Sequence, residues 1–66
     1  MYANLEELAE MIARRDNISV NEAWSAINYA AAEMEQAFMD GDLTRAEDVL
    51  LLELGLEPDY LDLFIY

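Results

Sequence analysis

Fifteen carboxylates and three arginines make up the charged side chains of this 66-residue chain, which has no histidine, cysteine or lysine. Acids recur at helical spacing as Glu6 with Glu10, and as Glu33 with Gln36 and Asp40 alongside. Such a pair performs acid–base catalysis when burial lifts one pKa inside a water-excluding pocket. Four short helices leave little room for a substrate cleft beside a core, so both sets read as solvated helix faces. Ser19 and Ser25 have no base to activate them. The missing side chains also remove thiolate chemistry, imidazole metal sites and Schiff bases. Asp40-Gly41-Asp42-Leu43-Thr44 begins like a calcium loop, which needs glycine at its sixth position and a bidentate glutamate at its twelfth. Those positions hold Arg45 and Leu51, and a helix-capping turn explains the same residues. The expectation is a non-enzyme that takes no cofactor and no metal.

The helices that carry these acids announce their own starts. Asn4 with Glu7, Ser19 with Glu22 and Thr44 with Glu47 each match the capping box, in which the first and fourth residues satisfy each other's backbone N–H groups. The first helix is expected to run through about Arg15, with Leu5, Leu8, Ala9 and Ile12 on one face. Glu6, Glu7 and Glu10 stand near its positive end and Arg14 and Arg15 near its negative end. Asp16-Asn17 supplies the turn. In the second helix Val20, Trp24, Ile27, Ala31, Met34 and Phe38 form a heptad-like seam. The other side carries Glu22, Ser25, Tyr29, Glu33, Gln36 and Asp40, with Tyr29 as a surface aromatic. Ala30, Ala31 and Ala32 would let another helix come close. Gly41 ends this helix, and Asp42 or Thr44 caps a third that runs to about Leu54. Gly55 fits a left-handed cap, with Leu56 folding back on Leu51. Pro58 opens a short fourth helix from Asp59 to about Ile65. The fold class is therefore all-α, a compact bundle of three helices plus a short C-terminal helix, in one domain spanning residues 1–66.

Composition sets two opposing demands. With 56% hydrophobic residues the chain can build a core, yet its formal net charge is −12. A domain this short buries only about 60% of its unfolded surface, and self-repulsion lowers its stability further. No uncharged apolar run approaches the ~20 residues needed to cross a bilayer, and no leader-like start is evident. These features predict a cytoplasmic protein with no membrane partner. The apolar residues Leu50, Leu51, Leu52 and Leu54, and then Leu61, Leu63, Phe64, Ile65 and Tyr66, wrap most of the way around their helices. Such helices need burial on all sides, so Leu61, Leu63, Phe64 and Ile65 are candidates for self-association as a homodimer.

The charge itself suggests a use. A 66-residue globule spans roughly 28 Å, and duplex DNA of that length carries roughly 16 phosphates. Twelve net charges approach that density. Three arginines cannot neutralise phosphates on so acidic a chain, so direct nucleic-acid binding is excluded. A basic nucleic-acid-binding protein would instead attract it strongly. Glu33, Glu35, Asp40, Asp42, Glu47 and Asp48, gathered near the turn between the second and third helices, are the candidate partner-binding residues.

In this character the chain resembles small acidic helical proteins of phages and mobile elements, among them anti-CRISPR and anti-restriction DNA mimics. The stretch from Gly41-Asp42 through Glu47-Asp48-Val49-Leu50 to Leu54-Gly55-Leu56-Glu57-Pro58-Asp59-Tyr60-Leu61 is similar to the C-terminal ends of uncharacterised prophage proteins. It covers about a third of the chain. The resemblance implies a phage or prophage setting, the bacterial cytosol as compartment, and inhibition of a nuclease or CRISPR effector component. The rival expectation is a small helical adaptor or dimeric module that binds through apolar helix faces.

Overall fold

The computed structural model describes residues 4–65. Three α-helices, α1 (Leu5–Asp16), α2 (Val20–Met39) and α3 (Leu43–Leu54), precede a 3₁₀ helix, Pro58–Leu63. The all-α class and its three-plus-one arrangement follow the local signals in the sequence. α2 is the central element and packs on both α1 and α3, while the 3₁₀ helix closes against α3. The radius of gyration is 11.2 Å and the principal extents are 33 × 19 × 17 Å.

Each α-helix starts on a short polar side chain that accepts the backbone N–H three residues on, which satisfies one of the free donors of the first turn. Asn4 Oδ1 accepts from Glu7 at 2.9 Å, Ser19 Oγ from Glu22 at 3.0 Å and Asp42 Oδ1 from Arg45 at 3.0 Å. The Ser19 box is reciprocal, since Glu22 Oε1 accepts from the Ser19 N–H at 3.1 Å. Asp42, not Thr44, caps α3, so Thr44 and Glu47 lie within the helix and form no capping box. At the far ends, Asn17 and Gly41 adopt left-handed backbone at φ 56° and 71°. After α2 the Gly41 N–H donates to Phe38 O and the Asp42 N–H to Ala37 O, at 3.0 and 2.9 Å, which turns the chain directly into α3.

Fourteen residues from all four elements and their connections form one core, with Leu8, Ile12, Ile27, Met34 and Leu50 fully buried. No charged or polar residue is buried among the described residues. On α2 the buried stripe is Ala23, Ile27, Ala30, Met34 and Ala37. The expected seam is therefore rotated by part of a turn. Trp24, Ala31 and Phe38 lie at its edge, half-buried, and Val20 is 44% exposed. Burying the alanines lets the neighbouring backbones approach, and closer packing gains more dispersion contact than centring the larger residues would. Replacing Ala30 by leucine should accordingly destabilise the fold by about 1–3 kcal/mol through overpacking. Ala32→Leu, on the exposed side, should stay within about 0.5 kcal/mol. Urea denaturation of the two variants checks this.

The C-terminal third differs most from expectation. Its helix is 3₁₀ and begins at Pro58, with Tyr60 and Phe64 N–H groups donating to Glu57 and Leu61 carbonyls. Gly55 forms the expected left-handed cap at φ 65°, and beyond it Leu56 enters the core while Leu51 is exposed. Leu61 is also a core residue at 7% exposure, which removes it from any self-association surface. Leu63 and Phe64 are half-buried against the core and Ile65 is 46% exposed. Tyr66 lies outside the described residues. Apolar exposure falls instead on Leu43, Leu51 and Leu52, with Leu52 81% exposed. α3 packs on α2 and on the 3₁₀ helix, and Leu51 and Leu52 are left exposed.

Candidate binding surface

The six acids expected to act together occupy different sides of the bundle. Glu33 and Glu35 are two residues apart on a helix, so they project roughly 200° from one another. Glu33 faces a shallow notch of 460 Å³ lined by Gln36, Asp40, Arg45 and Val49. Glu35 lies on the opposite flank of α2, in an open groove of 590 Å³ with Leu5, Ala31, Phe38, Leu43, Phe64 and Ile65. On α3, Glu47 shares the flank of Leu43 four residues earlier, while Asp48 is exposed. Of the six, Glu33 and Asp40 meet at the notch, and the turn between α2 and α3 carries Asp40 and Asp42.

Both of those are already engaged. Arg45 Nη2 donates to Asp40 Oδ2 at 2.7 Å, and Gln36 Nε2 donates to Asp40 Oδ1 at 3.2 Å. The Asp42 carboxylate is the α3 cap described above. Sequence spacing alone does not reveal the Asp40–Arg45 pair, because the two residues are brought together only by the turn. The hydrogen bond from Arg45 holds the Asp40 carboxyl below its ordinary range, assisted by Gln36 and by the guanidinium charge. This keeps Asp40 ionised, the opposite of what a general acid needs. The segment that begins like a calcium loop is simply this capped turn. Among the described residues, no three acids converge in an arrangement able to hold a metal ion.

Glu33 is half-buried, and among the described residues one of its carboxylate oxygens is shielded from solvent without a hydrogen-bond donor. Glu6 and Glu10 on α1 are exposed, as is Tyr29 on α2. The other ion pair among the described residues joins Arg15 Nε to Asp16 Oδ1 at 2.8 Å. The Arg15 guanidinium also lies 3.6 Å from where a Cβ on Gly55 would sit. It thereby brings positive charge to the end of α3, whose own last turn has none.

Among the described residues, three carboxyls have lowered pKa values. Asp16 is held down by the Arg15 hydrogen bond, Asp40 by that of Arg45, and Glu22 by the Ser19 backbone N–H and then its hydroxyl. A carboxyl with a lowered folded pKa contributes stability that is present above its unfolded value and lost as pH falls through its folded value. We expect carboxyl-detected NMR titration to place these three midpoints below the ordinary values of about 3.9 for aspartate and 4.3 for glutamate. Midpoints at or above those values would remove the pairings and the Ser19 box from the solution structure.

What remains available to a partner is an acidic exterior, a polar notch and an apolar groove with one acid in it. No helix among the described residues is long and apolar enough to cross a membrane. No family model, curated protein or solved structure matches the chain.

Proposed function

We propose that the chain is a non-enzymatic inhibitor from a phage or mobile element that occupies the basic nucleic-acid-binding surface of a host defence protein. A nuclease or a CRISPR effector component fits that description, in the bacterial cytosol. One observation carries this reading: twelve net negative charges sit on a body whose long axis is 33 Å. Duplex DNA of that length carries about 19 phosphates. Of the fifteen carboxylates, Asp16 and Asp40 are the ones in ion pairs among the described residues. Such a charge, fixed on a rigid capped scaffold, steers encounter with a basic groove and occupies it without base-specific contacts.

A second reading, a helical adaptor or homodimer that binds through apolar faces, is favoured by the exposed Leu43, Leu51, Leu52 and Ile65. Capture from a bacterial lysate, with elution in rising salt, tests between them. Mimicry predicts a nucleic-acid-binding protein released at moderate salt, because exposed charge pairs are screened within ~10 Å at 0.1 M. A partner retained at high salt would favour apolar docking.

A further inference from the structure

An open groove lies between α1, α2, α3 and the C-terminal residues, and charge mimicry makes no use of its apolar walls. Its lining comes from four separate segments: Leu5, Ala31 and Phe38, Leu43, and Phe64 with Ile65. Glu35 is its one charged lining residue, and all three arginines lie elsewhere. The exposed apolar surface extends past the groove. Met39 follows Glu35 by one helical turn and is exposed.

We propose that this groove seats a cationic amphipathic helix of a protein partner, with its apolar face against Phe38 and Phe64 and a lysine or arginine on Glu35. The dimensions suit such an occupant. Ala31 and Phe38 are seven residues apart, about 10 Å along α2, which matches two turns of a partner helix carrying anchors at i, i+3 or i+4, and i+7. Charge selects the sign of the partner. A second copy would bring another twelve negative charges and set acid against acid at the rim, whereas a cationic helix gains attraction from the whole body and finds its specific contact at Glu35. The inference goes beyond the proposed function because it requires an apolar face on the partner, which a mimic of phosphate charge does not.

The test uses the full chain and two synthetic peptides of about 18 residues, long enough to be helical. One peptide places leucines along one helix face and lysines elsewhere. The other has the same lysines with serine in place of each leucine. Amide NMR titration should move residues 31, 35, 38, 43, 64 and 65 with the leucine peptide, and the serine peptide should bind about tenfold or more weakly. Leu43→Ser with Ile65→Ser, both at exposed positions, should reduce leucine-peptide affinity about tenfold without altering the far-ultraviolet circular dichroism. Glu35→Gln should lower affinity and flatten its salt dependence. Equal binding of both peptides, or shifts spread over the acidic exterior and absent from the groove, would overturn the proposal and leave charge mimicry standing. So would concentration-dependent shifts of the groove residues in the protein alone, since a second copy would then be the occupant.

Discussion

Leu50→Ala should leave little folded protein at room temperature. Leu50 is fully buried in α3, the helix that packs on both α2 and the 3₁₀ helix. Truncating a buried leucine costs about 2–5 kcal/mol, because transfer free energy is lost and the cavity collapses only in part. A single core of this size supplies about 3–5 kcal/mol in total, and self-repulsion among the acids reduces the margin. The substitution therefore removes most of the stability. Leu52→Ala provides the control, since Leu52 is 81% exposed and its loss should shift stability by about 0.5 kcal/mol at most. Circular dichroism with urea denaturation reads both. A Leu50→Ala variant with the wild-type midpoint would mean that α3 does not pack on this face.

The second large effect concerns binding. Glu33→Gln, Glu35→Gln, Glu47→Gln and Asp48→Asn together should weaken the complex with the target about tenfold or more. Each charge at a binding rim contributes about 0.2–1 kcal/mol, and tenfold corresponds to about 1.4 kcal/mol. The loss should appear mainly in the association rate, because long-range attraction acts before contact. Asp40→Asn with Asp42→Asn should cost less. Asp40 is compensated by Arg45, and asparagine at position 42 preserves the helix cap. Surface plasmon resonance or stopped-flow mixing separates the two rates. An unchanged association rate for the quadruple variant would remove charge steering from the account.

These variants follow from details that the sequence reveals unevenly. Helix starts are local chemistry, so Asn4 and Ser19 are readable from a few neighbouring residues. Asn17, Gly41 and Gly55 mark the ends because few other residues tolerate left-handed backbone. The rotation of α2 is not local. Stripes through Trp24, Ala31 and Phe38 and through Ala23, Ala30 and Ala37 have the same periodicity, and only packing against α1 and α3 decides between them. Thr44 and Asp42 likewise compete for one cap, and the tight turn after Gly41 settles it for Asp42. Charge is legible as a total, but its distribution is not. Whether an acid is free depends on contacts such as Asp40–Arg45 across a turn. The groove needs residues 5, 38, 43 and 64 to meet, which no short-range pattern encodes.

If the acidic exterior takes the place of nucleic acid on a partner, the protein and DNA must compete for one surface. With the captured partner immobilised, short duplex DNA titrated against the bound protein should displace it completely, with the two ligands mutually exclusive at every concentration. Where the partner's phosphate contacts outnumber its carboxylate contacts, displacement should require more DNA as salt rises, because affinity for DNA then falls more steeply. A ternary complex, in which duplex DNA and this protein occupy the partner together with no loss of affinity for either, would rule out mimicry.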